Sequence, residues 1–403
     1  MGLQNSVPCW VVGRMTDKLP FGGEVVRLGE LVESSKAKNK DGLFADVYSV
    51  TNSHGFVPSQ EYFNKEVYSK ELRTYRVVHR NMIAYNPSRI NIGSVAVQDK
   101  VDNAIVSPLY VVFSADETKV IPGYLVRFLR SKPGLDQIAQ QSIGTVRSNL
   151  KFDALCKMQM PLPSLQTQVE RMNKLTLVEQ LADGCENYLF HLDELVKSRF
   201  VEMFGDPIDT NSTWPRKPIK DFCELRIGPF GSSLHRRDYI EGGHALINPS
   251  HIVNGAIVPD MSLTISDERY SEMDPYHLEI GDVVLGRRGE IGRCAVVCKP
   301  GLLCGTGSMI VRPKAGCRPD YLQRVISFPS FKDALEANAV GQTMKNLNAK
   351  IVGNAVVALP PIKVQDEFAS FVERVDKLRV VAEKEKQTLQ TLYDSLAQEY
   401  FAI

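Results

Sequence analysis

The feature that most constrains this 403-residue chain is that it repeats itself at a fixed distance. Sliding the sequence by 197 residues without a gap places Pro122, Tyr124, Leu125 and Arg127 on Pro319, Tyr321, Leu322 and Arg324. Gly144, Asn149 and Leu150 fall on Gly341, Asn346 and Leu347, and the phrase LPSLQTQ (Leu162 to Gln168) falls on LPPIKVQ (Leu359 to Gln365). The offset then carries Leu192, Leu195, Ser198, Glu202 and Phe204 onto Leu389, Leu392, Ser395, Glu399 and Phe401. Solenoid repeats have periods of about 20–50 residues, so a period this long means a duplicated domain. Function belongs to what two equivalent halves can read together.

Each half reads as an irregular β-rich part followed by one long helix. In the second half, LEIGDVVLGRRGEIGRCAVVCK sets β-branched runs between Gly281, Gly286, Gly289 and Gly292, the pattern of strands joined by tight turns. After each proline phrase the apolar period becomes helical. Leu175, Val178, Ala182, Cys185, Leu189, Leu192 and Val196 alternate steps of three and four, a seam suited to another helix. Proline near the first turn suits a helix start, and FGDP at Phe204 to Pro207 supplies the stop. Some forty residues at 1.5 Å each give a rod on the order of 60 Å. The second helix carries a weaker seam at Val375, Leu378, Leu389, Leu392 and Leu396, with Phe200, Phe204, Phe371 and Phe401 as docking anchors near the helix ends. Gly184 costs about 1 kcal/mol relative to alanine inside a helix, and close approach of the partner helix is expected to account for it.

The expected fold is therefore α+β: two β-rich domains (residues 1–160 and 208–358) alternating with two long helices (161–207 and 359–403). The helices are expected to pair as an antiparallel coiled coil about the pseudo-twofold axis that duplication suggests.

Charge follows the same division. Residues 1–160 carry 20 Lys+Arg against 15 Asp+Glu and residues 215–355 carry 18 against 15, whereas 161–214 carry 4 against 9 and 356–403 carry 6 against 8. Two mildly basic parts alternate with acidic helices, as expected if the globular parts face a polyanion. Scattered cysteines, the absence of an apolar leader after MGLQNSVPCWVVGR and the lack of about 18 consecutive apolar residues imply a reduced, cytoplasmic protein without membrane association.

The motifs of catalysis are missing. Asn86-Pro87-Ser88-Arg89 and Asp274-Pro275-Tyr276 only echo the Asn/Asp-Pro-Pro-Tyr/Phe motif of a methyltransferase, and CGTGS (Cys304 to Ser308) lacks a following helix signal. Cys294, Cys298, Cys304 and Cys317 form no Cys-x-x-Cys knuckle, so buried strand thiols explain them better than a metal. No catalytic, metal-ligating or cofactor-binding residue is assigned.

Taken together, LVKSRFVEMFGDP (195–207), IGPFGSSL (227–234), GDVVLGRRGEIG (281–292), VGQTMKNL (340–347) and the Leu-Pro-Pro…Gln phrase resemble the DNA sequence-specificity subunit of type I restriction-modification enzymes. The resemblance covers essentially the whole chain, with one departure: RNMIAYNPSRINIG (80–93) stands where GDVVLGRRGEIG is expected. It implies two target-recognition domains that each read one half of a split target in double-stranded DNA. The helices would act as a ruler between half-sites, which on one DNA face lie about 34–36 Å apart. It also implies two methyltransferase subunits carrying S-adenosylmethionine, and restriction subunits that cleave.

Within that frame, the residues suited to DNA are arginines and short polar groups on loops, which can fork onto guanine or meet phosphate. In the second half these are Ser232, Ser233, His235, Arg236, Arg237, Arg287, Arg288, Arg293, Gln342, Thr343, Lys345 and Asn346. In the first half they are Lys36, Lys38, Lys40, Tyr85, Asn86, Arg89, Thr145, Arg147 and Asn149. The rival reading is a duplicated protein-interaction scaffold that never touches DNA, which the basic loops fit less well.

Overall fold

The repeated proline phrase opens a long helix in both halves, and its glutamine is what fastens that helix down. In the computed structural model, which describes residues 23–62, 71–142, 149–229, 234–339 and 346–403, Gln168 and Gln365 are fully buried. Gln168 Oε1 accepts from the Ile121 amide at 2.9 Å, and its Nε2 donates to the carbonyls of Lys119 (2.8 Å) and Pro163 (2.9 Å). Gln365 repeats this with the Arg318 amide (2.8 Å) and the carbonyls of Gly316 (3.0 Å) and Pro360 (2.8 Å). Every partner is displaced by the same 197 positions, so the offset read from sequence is an offset of hydrogen bonds as well.

The fold is α+β, and the chain divides into two units that take in part of each long helix. Unit 1 comprises residues 1–187 and 383–403; unit 2 comprises 188–382. The division runs through both long helices, because each half-helix packs into the core of its own unit.

Unit 1 holds a four-stranded antiparallel sheet in the order Val32–Ser35, Val111–Ala115, Ile83–Tyr85, Val95–Val97. Helices Pro122–Arg130 and Lys132–Gln141 follow it, each with proline in its first turn, where a missing N–H costs nothing. Tyr85, Phe113, Tyr124, Phe128, Leu150, Leu175 and Phe401 form the centre of one core, with Phe401 packed on Tyr124 at 5.1 Å between rings.

Unit 2 repeats the arrangement: Cys223–Ile227, Ser308–Pro313, Val283–Gly286, Cys294–Val296, then helices Pro319–Ser327 and Pro329–Asn338. Its core contains Leu285, Met309, Tyr321, Leu347, Phe200, Phe204 and Phe368. Both helix pairs, and both long helices (Leu165–Phe204 and Ile362–Phe401), are related by the offset of the sequence repeat. Gly205, with φ +70°, caps the first long helix by donating to the Val201 carbonyl at 2.8 Å.

Facing segments of the two long helices run antiparallel inside each unit. In unit 1, Arg171 reaches the Tyr400 carbonyl (3.3 Å), Arg127 joins Glu179 to the Tyr393 hydroxyl, and Glu186 pairs with Lys386 at 3.0 Å. In unit 2, Asp193 pairs with Arg379 at 2.7 Å and the Phe200 and Phe204 rings meet Phe368.

Of the expected seam, Leu175, Val178, Leu192, Val196 and Val375 are buried, and Cys185, Leu189, Leu389 and Leu396 are partly so. Leu378 and Leu392 are not in it; they are 48% and 45% exposed. The inward row of the second helix is instead the first helix's row carried forward by the offset: Val372, Val375, Arg379, Ala382, Lys386, Leu389 and Tyr393, none of them exposed. Three of those positions hold side chains with polar ends, so a search for leucines selects the wrong face. Gly184 is also corrected: an added Cβ there would meet nothing within 4 Å, so no close helix approach explains it.

Among the described residues no helix is long and apolar enough to cross a membrane, and no group of three or more His, Cys, Asp and Glu side chains could hold a metal ion.

Candidate nucleic-acid interface

In both units the sheet's last hairpin ends in a loop that lies against the segment preceding a short helix. Residues 86–94 connect the paired strands Ile83–Tyr85 and Val95–Val97; residues 287–293 connect Val283–Gly286 and Cys294–Val296. The first-half sequence RNMIAYNPSRINIG therefore occupies the same structural place as GDVVLGRRGEIG. Gly93 (φ +83°) and Gly292 (φ +80°) take the left-handed turn near the end of each loop, a conformation glycine adopts without penalty.

Each loop is tied to the following segment through equivalent atoms. The Leu150 amide donates to the Pro87 carbonyl at 3.1 Å, and the Leu347 amide donates to the Arg287 carbonyl at 3.0 Å. The carbonyls of the same two leucines are also taken, by different chemistry. Leu150 accepts from the Tyr85 hydroxyl at 3.1 Å; Leu347 accepts from Arg287 Nε at 2.8 Å, while Arg287 Nη2 reaches Asn346 Oδ1 at 3.3 Å.

One expected DNA contact, Tyr85, is corrected by this geometry. Tyr85 is fully buried in the unit 1 core, where burial pushes its hydroxyl well above the usual phenol range, and it cannot touch a duplex. Arg287 is partly buried and its guanidinium is engaged on the 346–347 backbone and side chain. Burial, and then the Arg288 charge, lower its hold on its proton without bringing it near neutrality. Arg293 bonds the Pro249 carbonyl at 3.3 Å and pairs with Glu290.

What the loops leave at the surface is Arg288 in unit 2 and Arg89 in unit 1, both exposed and without an ion pair among the described residues. Arg288 bridges backbone to backbone with Asn346, and Asn149 is the exposed counterpart of that asparagine. Asn86 is a turn former whose Oδ1 accepts from the Ser88 amide at 3.1 Å. His235 and Arg237 are exposed beside a short turn stabilised by the His235 amide donating to Asp238 at 2.7 Å. Lys36, Lys38 and Lys40 are exposed and make no ion pair among the described residues. Thr145, Arg147, Ser232, Ser233, Gln342, Thr343 and Lys345, and the side chain of Arg236, lie outside the described residues.

The sequence reading missed the fastening pair Gln168 and Gln365 as structural elements, and it passed over Arg127 and Arg324 although it had aligned them. The repeat contained the signal for all four.

Comparison with known proteins agrees with the architecture. The family described as Type I restriction modification DNA specificity domain matches residues 211–391. The specificity subunit of the type I restriction enzyme EcoKI of Escherichia coli (strain K12) is 22% identical over 304 residues, covering 71% of this chain and 65% of that protein. The MjaVIII specificity subunit of Methanocaldococcus jannaschii is 19% identical over 397 residues, covering 93% of this chain and 90% of its own. One chain of a solved structure, concerned with complex assembly and conformational transition of the type I R-M system, superposes with a TM-score of 0.65 at 16% identity. That match covers 96% of this chain and all of the other, and it establishes a shared fold.

Proposed function

We propose that this chain is a type I restriction-modification specificity subunit, the DNA-recognition subunit of such a complex, and that it reads a bipartite target, one half with each unit. The observation that carries this is the pair of equivalent hairpin loops, each fastened to a neighbouring segment and each leaving an exposed arginine without an ion pair among the described residues: Arg89 in unit 1 and Arg288 in unit 2. A free guanidinium on a rigid loop can fork onto guanine O6 and N7 or pair with a phosphate. The loops differ in sequence (NPSRINIG against GRRGEIG), as two readers of different half-sites should.

The chain is proposed to be non-catalytic. Methyl transfer and S-adenosylmethionine binding belong in this reading to two methyltransferase subunits, and ATP-driven cleavage to restriction subunits. The long helices present faces for the methyltransferases in this reading. Leu177 and Leu181 in unit 1, and Phe190 and Leu195 in unit 2, are about half exposed, an apolar cost that a partner surface would remove. Modification would take the target adenine out of the stack into the partner's pocket. A scaffold that binds only proteins accounts for the exposed leucines but not for the free loop arginines.

The test is a methylome of cells expressing this chain with a matching methyltransferase subunit. The reading requires adenine methylation at a single split motif that disappears when this chain is omitted. Methylation at no site, or at a continuous motif, overturns it.

A further inference from the structure

Each unit contains a polar cavity in the same place beside its first core helix, but only one of the two is neutralised from within. In unit 1 it is lined by Gly55, Lys100, Arg127, Arg130, Glu179 and Tyr393. In unit 2 a cavity of about 530 Å³ is lined by Gly255, Arg293, Arg324, Ser327, Lys332 and Lys197. Arg127 and Arg324 correspond through the sequence repeat. Gly55 (φ +63°) and Gly255 (φ +78°) mark equivalent hairpin turns at the rims.

The unit 1 arginine is saturated. Arg127 forks onto both carboxylate oxygens of Glu179 at 2.7 and 2.8 Å, and also bonds Thr176 Oγ1 (2.8 Å) and the Tyr393 hydroxyl (3.2 Å). The repeat replaces all three partners in unit 2. Glu179 becomes the shorter Asp376, Tyr393 corresponds to Val196, and Thr176 becomes Glu373, which is exposed and makes no ion pair among the described residues. Asp376 is engaged instead by Arg379, which also holds Asp193.

The Arg324 guanidinium is thus left partly buried with no hydrogen bond or ion pair among the described residues. Lys332, on the same wall, is in the same condition. The other two cations of the lining are already paired, Lys197 with Glu194 at 2.6 Å and Arg293 with Glu290. Burial weakens Arg324's hold on its proton, an effect the fields of Asp193 and Asp376 offset only in part, and a guanidinium keeps its charge through such a shift.

We infer that the unit 2 cavity is a receptor for a carboxylate side chain from another protein chain, with Arg324 as its fork and Lys332 as its second charge. The equivalent cavity shows the complement: where this arginine has a partner within its own unit, that partner is a glutamate held by two parallel bonds, the geometry guanidinium matches best. Glu290 lines the same cavity and the fields of Asp193 and Asp376 reach Arg324, so the site would repel a run of phosphates more strongly than a single carboxylate. The inference does not rest on DNA reading, and the methylome experiment does not decide it.

The test uses the full-length chain and an acetylated, amidated alanine peptide carrying a single glutamate, titrated calorimetrically at low salt. Saturable binding is expected, about tenfold weaker in Arg324→Gln and in Lys332→Gln. Lys377→Gln, which removes an exposed charge from the second long helix of the same unit, should bind as the parent does. Asp376→Glu restores the longer side chain found in unit 1 and should abolish binding by closing the fork from inside. Absence of saturable binding, equal weakening by Lys377→Gln, or unchanged binding by Asp376→Glu overturns the inference. So does a result in which Arg324→Gln weakens binding of a DNA duplex and leaves the peptide unaffected.

Discussion

Replacing Gln365 with alanine should destabilise unit 2 by about 2–4 kcal/mol, and the structure indicates where that energy comes from. Gln365 satisfies three backbone groups: the Pro360 carbonyl in a buried position, and the Gly316 carbonyl and Arg318 amide in partly buried ones. An orphaned buried carbonyl costs about 1–3 kcal/mol, and each bond that water can partly replace contributes about 0.5 kcal/mol. With a urea m-value of about 2 kcal/mol per molar, the unfolding midpoint should fall by roughly 1–2 M. Gln365→Met separates hydrogen bonding from volume, because it fills the space and still leaves all three groups unpaired; it should cost nearly as much as alanine. Hydrogen exchange provides the local assay. Protection should drop in Pro319–Ser327 and at the start of Ile362–Phe401, while Pro122–Arg130 keeps its protection; Gln168→Ala should do the reverse. A loss below about 0.5 kcal/mol in Gln365→Met would refute the reasoning, since the glutamine would then be filling space rather than fastening the helix to the preceding loop.

Arg288→Ala should weaken specific duplex binding by the assembled complex by about 1–3 kcal/mol with no change in unfolding midpoint. Arg287→Ala should act on stability instead, by about 1–2 kcal/mol, because it orphans the Leu347 carbonyl; filter binding beside urea melts distinguishes the two. Gly184→Ala should stabilise the chain by about 1 kcal/mol, as nothing opposes the new methyl group, and a thermal melt that fails to rise would show strain at that turn. Burial pushes the thiols of Cys294 and Cys304 up to about 12, so at pH 8 they remain protonated and unreactive while the exposed Cys298 is alkylated. Peptide mapping after iodoacetamide should find Cys294 and Cys304 modified only in urea.

The architecture was legible because duplication prints the same physical requirements twice. A buried glutamine, a proline at a helix start and a tyrosine beneath it recur at one interval, and chance does not preserve such a set in register. The helix seam was legible where it is apolar, at Leu175, Val178, Leu192 and Val196, and misread where it is not. At 379, 386 and 393 the inward side chains are Arg, Lys and Tyr, whose stems pack while their ends reach Asp193, Glu186 and Arg127. A search by residue type passes over such positions, whereas transferring the first helix's row by the offset locates them. The candidate interface was less legible for a related reason. Loop arginines look alike in sequence, and only geometry separates Arg288, which is free, from Arg287 and Arg293, which hold the loop together.

The two units therefore share positions more faithfully than they share chemistry. The carbonyl at 150 or 347 is held by a tyrosine hydroxyl in one unit and by an arginine Nε in the other, and the arginine at 127 or 324 is saturated in one and open in the other. Such divergence follows from what each place must supply. A fastening site needs one donor aimed at one carbonyl, and several side chains meet that need, so the residue can change while the bond persists. The glutamine site must satisfy one amide and two carbonyls at once, which in a buried position requires both a donor NH₂ and an acceptor oxygen on one planar group. Glutamine alone among side chains of that length supplies them, and it is this site that the duplication leaves unchanged.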